Sequence, residues 1–419
     1  MIEPLMFILL VGVTLLLGYI GNHIFSKTKI PDVIWLFIFG ILIAYFGFVP
    51  RAPFVSMSNL MISIALFVIL FDAGLNTSMY KFVHDFSRSF LLALTGFVFS
   101  MLATAAVAVL FFRFDLLTGL LLGSIVGGTS SALVISMISH LKIDENTRTT
   151  LHLESILTDP IVIVVAMTLM ALIVPSSFVA TYSPVHGILS AFSIGAVAGV
   201  VAGLIWLFLL DKIRGKGFDY MVTLGVLFLL YAGVQYSDGS GAIAALFFGL
   251  VLGNGRTLHK ILRFGSGHYE INEYLKKFQS EITFFIRSFF FVFLGLIVVI
   301  NQSYIIYGVI IAVVLIAVRL LSTHVSMLRM EATSFDKNLI RVMAPRGLAA
   351  AIMAQLAIVY NVPGADVMTN IIFVVIFVTT IYSSVCVAIL SRKSGAEEKE
   401  CKEEKAKEKK VPRKKAGKK

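Results

Sequence analysis

Charged residues are scarce in this chain, in which Asp, Glu, Lys and Arg together make up only 14% of 419 residues. Hydrophobic residues make up 58%, and the mean hydropathy is +0.92. Soluble globular domains contain about 25% charged residues. The composition therefore argues against a soluble protein and indicates that lipid surrounds most of the chain.

Cysteine is nearly absent, and the common metal and nucleotide sequences are missing. Cys386 lies in an apolar run and Cys401 near the C-terminus, so a structural disulfide is not expected, and no Cys/His cluster has the spacing of a metal site. The Gly-Lys-Gly at 215–217 lacks the upstream glycine of a phosphate-binding loop. No HExxH, GxSG or GxGD segment of an intramembrane protease occurs. The sequence therefore predicts neither an enzyme nor a bound cofactor.

The net charge of +11 is concentrated near the C-terminus. Of the 35 Lys and Arg residues, 13 follow Ser391, in a segment that also contains six Glu and almost nothing apolar. Such a segment cannot bury enough surface to fold alone, so 392–419 is predicted to be a disordered tail. Because the remaining residues carry little net charge, nucleic acid is not an expected partner.

Apolar runs fill the rest of the chain, and most have the roughly 20 residues needed to cross the hydrocarbon core of a bilayer. Lipid requires every backbone polar group to be paired internally, and runs of this length favour helices over barrel strands. The sequence therefore predicts an all-α integral membrane domain over 1–391 with about thirteen transmembrane helices. The runs are 6–25, 30–50, 59–76, 89–112, 116–140, 152–174, 185–211, 219–237, 241–254, 282–300, 304–327, 339–361 and 368–390.

The loops between these runs alternate in charge. Loops after the odd-numbered runs hold 17 Lys and Arg residues when Arg341 at the start of the twelfth run is included, whereas the intervening loops hold only Arg51 and Arg113. Positive residues accumulate on the cytoplasmic side of short loops. The alternation therefore predicts an N-terminus outside the cell and a cytoplasmic C-terminal tail.

Apart from the charges assigned to the loops, the span ends and the tail, six charged residues lie inside the predicted spans. Each costs roughly 2.5–3.5 kcal/mol near a helix centre on insertion scales, so each needs a partner or a function. One alternative is that all six simply pair with one another and hold helices together. The set comprises the acids Asp72, Glu154 and Asp159 and the bases Arg287, Arg319 and Arg346.

The sixth run begins with the polar segment His-Leu-Glu-Ser-Ile-Leu-Thr-Asp-Pro at 152–160. Ser155 and Asp159 are four residues apart and share one helix face, while Glu154 and Thr158 share a neighbouring face. Pro160 cannot donate to the carbonyl of the preceding turn. A carboxylate, a hydroxyl and a free carbonyl can therefore converge on a cation such as Na⁺, which would compete with a proton for the carboxylate. The alternative is a proline-kinked helix whose polar residues bond to one another.

Two other spans are interrupted by residues that disturb helices. The fifth contains Gly-Gly-Thr-Ser-Ser at 127–131 and the twelfth contains Ala-Pro-Arg-Gly at 344–347. Interrupted helices at corresponding places in two halves of a chain are typical of inverted-repeat transporters. Arg346, at the second interruption, is a predicted partner for Glu154, which would leave Asp159 free to exchange ligands.

Together, GGTSS, ESILTDP, the arginine in FIRSFFFVFLGL and PRGLAAA resemble the monovalent cation/proton antiporter family, specifically its NhaP-like sodium/proton exchangers. The resemblance covers about residues 1–390. It implies thirteen helices in an inverted repeat, with two broken helices crossing near the midplane. It also implies a homodimer in the cell membrane and alternating access by movement of a six-helix core.

The resemblance also assigns roles to individual residues. Asp159 matches the essential ion- and proton-binding aspartate, Ser155 an adjacent ligand, and Thr129, Ser130 and Thr158 lie in the same site. The other assignments are the structural ion pair Glu154–Arg346, the funnel acid Asp72, and the helix 10 base Arg287, with Arg319 as a further intramembrane charge.

Two positions depart from the family pattern. Thr158 stands where family members have Asn or a second Asp, and Thr129-Ser130 stands where many have Thr-Asp. With one exchanging carboxylate left, we predict electroneutral exchange of one Na⁺ or Li⁺, held by Asp159 and Ser155, for one proton. A potassium/proton antiporter of the same fold and a cation channel are the alternatives.

Overall fold

The structure of the chain is a computed structural model. It describes residues 4–28, 32–47, 58–77, 79–138, 141, 143–175, 184–213, 219–262, 273–298, 301–327 and 333–410. No β-strand occurs in these ranges. The all-α fold class predicted from the sequence is confirmed.

The described residues form sixteen α-helices. They are α1 (Pro4–Thr28), α2 (Asp32–Tyr45), α3 (Ser58–Leu75), α4 (Met79–Phe112), α5 (Leu116–Ile125), α6 (Ser131–Ile138), α7 (Glu145–Ile173), α8 (Pro184–Ile213), α9 (Asp219–Tyr236), α10 (Gly241–Gly253), α11 (Gly255–Leu262), α12 (Glu273–Ile297), α13 (Gln302–Ser326), α14 (Ser334–Val342), α15 (Leu348–Val359) and α16 (Ala365–Lys410).

Each predicted apolar run coincides with one of these helices or with a consecutive pair. Among the described residues, six helices are long and apolar enough to cross a membrane, and seven further apolar helices are shorter. Helix α11 is short and amphipathic and matches no predicted span. The count of thirteen membrane crossings stays a prediction.

The helices pack into two bundles. Helices α1–α3, α8–α10 and α12 contact one another extensively, and we call them the continuous-helix bundle. Helices α4–α7 and α13–α16 form the other, the broken-helix bundle. Contacts between the two bundles are fewer and involve mainly α3 with α15 and α7 with α8.

Glycine allows the closest approaches in the continuous-helix bundle. Gly40 on α2 lies against the backbone of α12, where an added Cβ would overlap the carbonyl oxygen of Val292 and reach 2.8 Å from the Cα of Gly295. Gly249 on α10 lies in the same way against the carbonyl of Phe71 on α3. Small residues at such crossings let helix backbones meet, which is how membrane helices gain van der Waals contact.

Both predicted interruptions are found in the broken-helix bundle. The chain leaves helical geometry at 126–130, between α5 and α6, and at 343–347, between α14 and α15. The two unwound segments touch, because the backbone N–H of Ser130 donates to the carbonyl of Pro345 at 2.9 Å. Each broken pair is followed by a long helix, α7 or α16, so the predicted crossing of two broken helices in a repeated unit is confirmed.

Helix α16 extends beyond the predicted end of the membrane domain at 391 and continues to Lys410. The division of the chain at 391 and the disorder of the tail stay predictions. Residues 411–419 lie outside the described residues.

Candidate ion-binding site

The break between α5 and α6 lies against α7 because it contains two consecutive glycines, Gly127 and Gly128. A Cβ at Gly128 would come within 2.6 Å of the Cγ2 of Val162 on α7, and a Cβ at Gly127 would come within 2.9 Å of the Phe97 ring on α4. Side chains at these two positions would push the segment away from its neighbours. The glycines therefore bring the hydroxyl residues that follow them to α7.

Thr129 and Thr158 join the break to α7. The backbone N–H of Thr129 donates to the Oγ1 of Thr158 at 3.2 Å. The Thr158 hydroxyl lies 3.0 Å from the carbonyl of Ser155 and 3.2 Å from that of Thr129, and its single proton can go to either. The structure therefore brings together these two predicted site residues, and both are buried.

Asp159 lies one residue further along α7. The Ser131 hydroxyl donates to its Oδ2 at 2.8 Å. Within the described residues Asp159 forms no ion pair, and its side chain is partly exposed. A carboxylate with a neutral donor and no fixed counter-charge can accept either a cation or a proton.

Ser131 was not assigned as a site residue by the sequence analysis, although it belongs to the interrupted segment at 127–131. The three consecutive hydroxyl residues at the helix break are the sequence feature that indicates Ser131 as a site residue. Ser155, which was assigned, is fully buried, and its hydroxyl donates to the carbonyl of His152 at 2.9 Å and not to Asp159.

The predicted ion pair between Glu154 and Arg346 is wrong. Glu154 pairs with Arg319 of α13 through two parallel hydrogen bonds, Nη1 to Oε1 and Nη2 to Oε2, the second at 2.8 Å. Both side chains are only 3% exposed. The Arg319 Nε also donates to the carbonyl of Ile340 on α14 at 3.1 Å. The planar guanidinium fits a carboxylate in this two-bond geometry, so the pair connects α7, α13 and α14.

Arg346 instead bonds to the other break. Its Nη1 donates to the carbonyl of Gly127 at 2.9 Å, and its Nη2 donates to the hydroxyl of Ser100 at 3.3 Å. The backbone N–H of Arg346 donates to the Oγ1 of Thr379 on α16 at 3.2 Å. Its charge therefore lies beside a carbonyl that the unwinding of α5 removed from the helix ladder.

Asp72 and Arg287 lie in the continuous-helix bundle and not at this site. Arg287 pairs with Asp32 at 3.1 Å, and Asp72 accepts a hydrogen bond from the Asn76 side chain at 3.2 Å. Asp32 is buried at the start of α2, although it is not among the six intramembrane charges predicted from the sequence. Its position near the start of an apolar run gives too little information to place it.

Family comparison agrees with this architecture. A family model described as "Sodium/hydrogen exchanger, transmembrane" matches residues 12–393.

Three curated relatives are moderately similar to the chain. A K⁺/H⁺ antiporter NhaP from Alkalimonas amylolytica is 26% identical over 92% of this chain and 66% of its own length. A K⁺/H⁺ antiporter NhaP2 from Shewanella sp. (strain MR-4) is 27% identical over 82% of this chain and 58% of its own length. A probable Na⁺/H⁺ antiporter 2 from Methanocaldococcus jannaschii is 27% identical over 66% of each chain. The chain thus spans two thirds or less of these relatives.

Solved structures share the fold. A structure of the sodium proton antiporter MjNhaP1 from Methanocaldococcus jannaschii at pH 8 has a TM-score of 0.77 with 21% identity. That match covers 93% of this chain and 98% of the other. An electron-microscopy structure of the same antiporter gives a TM-score of 0.74 with 22% identity. The predicted inverted-repeat antiporter fold is confirmed.

Proposed function

Because this chain belongs to the transmembrane sodium/hydrogen exchanger family, we propose that it is a secondary antiporter that exchanges Na⁺ or Li⁺ for H⁺ at Asp159. The family is one of transporters and not of enzymes. The ions are substrates, and we propose that no cofactor takes part.

The different surroundings of two acids on α7 support this proposal most directly. Glu154 is buried in a two-bond pair with Arg319, so its charge is permanently balanced. Asp159, five residues later, has the neutral Ser131 hydroxyl as its only donor among the described residues. A membrane-embedded carboxylate without a fixed counter-charge is costly, and binding either a cation or a proton removes that cost. The two ligands therefore exclude each other, which is what exchange requires.

The neutral residues around Asp159 favour electroneutral exchange. Ser131 donates to the carboxylate, and Thr129, Ser130 and Thr158, which are predicted site residues at the break and on α7, bring hydroxyls and carbonyls but no second acid. Oxygen ligands of this kind suit hard monovalent cations. One carboxylate that carries one Na⁺ in one direction and one proton in the other moves no net charge.

Alternating access would use the two-bundle architecture. The bundles meet through few contacts, whereas the crossed breaks are fastened within their own bundle by Ser130–Pro345 and Arg346–Gly127 bonds. The broken-helix bundle can therefore move with the site intact relative to the other bundle. Asp72, on α3 of the continuous-helix bundle, is the proposed acid of the ion funnel.

The resemblance also supports a homodimer in the cell membrane as the transporting assembly. Large apolar side chains are exposed along α1, among them Leu9, Leu16 and Tyr19, and they require lipid or a protein neighbour. Cross-linking in native membranes would test the dimer, and an exclusively monomeric product would contradict it.

Potassium is the alternative cation because two of the three relatives described above are K⁺/H⁺ antiporters. The neutral Thr158 and Ser130 give the site a weaker field than a second carboxylate would. The site therefore needs a direct test of cation choice.

The experiment is proton flux in sealed proteoliposomes with an imposed pH gradient, on addition of Na⁺, Li⁺ or K⁺, with and without a clamp of the membrane potential. We expect Na⁺ and Li⁺ to collapse the gradient in wild-type vesicles, whatever the potential. Asp159→Asn should abolish the flux while the protein still folds. The matched control is Asp366→Asn, the same change at an exposed residue in the first turn of α16.

Each outcome has a defined meaning. A response to K⁺ alone would change the cation, and a dependence on membrane potential would overturn electroneutrality. Normal exchange by Asp159→Asn would overturn the assignment of the site. Cation flux without proton movement would favour a channel.

A further inference from the structure

The Ser131 hydroxyl donates a hydrogen bond to the carboxylate at which the proposed function requires ions to bind. It lies 2.8 Å from the Asp159 Oδ2, and Ser131 itself is 7% exposed. Hydrogen bonds from a neutral hydroxyl to an ionised carboxylate are short and about twice as strong as those between neutral groups. A cation that binds the Oδ2 of Asp159 must compete with this donor.

The neighbouring hydroxyls are differently engaged. Ser155 donates to the carbonyl of His152, and Thr158 donates to the carbonyl of Ser155 or Thr129. The protons of both hydroxyls therefore go to backbone carbonyls and not to Asp159, and the Thr158 Oγ1 also accepts from the Thr129 N–H. Within the described residues, Ser131 is thus the hydroxyl that gives its proton to this carboxylate.

The backbone around Ser131 is held in place from the opposite break. The N–H of the preceding residue, Ser130, donates to the carbonyl of Pro345. Gly347 lies so close to Ser130 that an added Cβ would overlap its side chain. Ser131 is the first residue of α6, so the start of this helix is fixed with its hydroxyl beside Asp159.

We propose that Ser131 sets the cation affinity of the site by acting as a built-in competitor, which donates to Asp159 when no ion is bound and is displaced when one enters. This inference rests on the proposed exchange function and names a specificity-determining residue for it. A transport site must bind an ion firmly enough to admit it and weakly enough to release it. Stabilising the empty carboxylate is a way to weaken binding without removing a ligand.

The competitor role predicts a distinctive kinetic change. If Ser131 only supplied a ligand, Ser131→Ala would weaken Na⁺ binding and raise the apparent KM. If it competes with the ion, Ser131→Ala destabilises the empty site, so Na⁺ binds more tightly and leaves more slowly. The size of a hydrogen bond to a charged group corresponds to about tenfold in affinity.

The test compares wild type, Ser131→Ala and Ser131→Thr in proteoliposomes and as purified protein. Sodium-dependent proton flux gives KM and Vmax, and equilibrium binding of radiolabelled Na⁺ gives affinity without transport. We expect Ser131→Ala to lower KM and the dissociation constant about tenfold and to lower Vmax. Ser131→Thr keeps a hydroxyl and should restore values close to wild type.

The matched control is Ser124→Ala, which removes a buried hydroxyl that donates to the carbonyl of Leu121 before the break. It should leave KM unchanged, and thermal unfolding in detergent verifies that all variants fold. A raised KM in Ser131→Ala would overturn the proposal in favour of a simple ligand, and unchanged KM and affinity would overturn it in favour of a purely structural hydroxyl. Absence of exchange in the wild type would instead overturn the proposed function, and this proposal with it.

Discussion

In the continuous-helix bundle the closest helix contacts are made by glycine, as where Gly40 lies against the carbonyl of Val292. In the broken-helix bundle Gly123 lies in the same way against the carbonyl of Met101, but the two breaks are held by charged and hydroxyl side chains, as where Arg346 donates to the carbonyl of Gly127. Glycine crossings depend on van der Waals contact and leave no polar group to satisfy. Broken helices free backbone N–H and C=O groups, and each such group in lipid needs a partner.

The difference explains where ions can bind. The polar partners that satisfy the breaks are the same groups that could surround a cation, and Asp159 lies among them with Ser131 as its donor. The glycine crossings of the other bundle offer no such groups. Stability at the breaks should therefore respond to lost charges, and stability at the glycine crossings should respond to added volume.

The largest expected loss of stability comes from removing one partner of the buried Glu154–Arg319 pair in the broken-helix bundle. Glu154→Gln leaves Arg319 buried without its counter-charge, because both side chains are only 3% exposed. Removing one partner of a buried pair costs about 3–5 kcal/mol. The free energy of unfolding, measured by denaturant titration in mixed micelles, should fall by that amount.

Glu145→Gln is the control, since it makes the same change at the start of the same helix. Glu145 lies 3.7 Å from Arg148 in an exposed pair, and exposed pairs contribute about 0–1 kcal/mol. Equal losses in the two variants would contradict the distinction between a buried and a surface pair. The Glu154–Arg319 pair would then contribute no more to stability than an exposed pair.

An intermediate effect is expected from added volume in the continuous-helix bundle. Gly40→Ala places a methyl group on the carbonyl of Val292, so α2 and α12 must move apart. Overpacking of this kind costs about 1–3 kcal/mol. Thermal unfolding in detergent should show a lowered midpoint, and loss of activity should not exceed loss of folded protein, because the site lies in the other bundle.

Gly12→Ala on α1 should instead raise the midpoint of thermal unfolding. Apart from its own helix backbone, no atom of the described residues lies within 4 Å of a Cβ at Gly12, and Ala is favoured over Gly in a helix by up to about 1 kcal/mol. If both alanine variants were equally stable, close glycine packing would not be what stabilises this bundle.

Much of the broken-helix bundle was predictable because its signals are local. Gly-Gly at 127–128 and Pro345 are local helix-disturbing residues and the sequence predicts a break at each, although Pro160 lies inside the continuous helix α7. The resemblance to the antiporter family places Thr129 and Thr158 in one site, and the structure brings them together. The Ser130–Pro345 hydrogen bond confirms the crossing of the two breaks.

The predictions that were wrong or missing concern residues whose partners are distant in sequence. Glu154 was predicted to pair with Arg346, and it pairs with Arg319, since charge inside a span indicates that a partner exists but not which helix supplies it. The Asp32–Arg287 pair joins residues 255 apart and depends on the packing of α2 against α12. Ser131 was missed because only the angle of α6 determines which of three adjacent hydroxyls faces Asp159.

The smallest expected effect is at the edge of the broken-helix bundle, between the predicted spans, where Asp115 caps α5. Its carboxylate accepts from the Thr118 hydroxyl at 2.7 Å and from the Thr118 backbone N–H at 3.2 Å. These bonds hold the pKa of Asp115 below its ordinary value. Asp115→Ala should lower the free energy of unfolding by at most about 1 kcal/mol at neutral pH, because the cap is largely exposed.

The pH dependence of this effect has a definite sign. A carboxyl whose pKa is lowered in the folded state stabilises the protein above its unfolded pKa and loses that contribution as the pH falls through the folded pKa. The difference between wild type and Asp115→Ala should therefore shrink from about pH 7 towards about pH 3. Asp115→Asn, which can still cap the helix but carries no charge, should be nearly as stable as wild type at neutral pH. If the free energy of unfolding of Asp115→Ala stayed below that of wild type by the same amount across this range, packing and not the ionised cap would stabilise the start of α5.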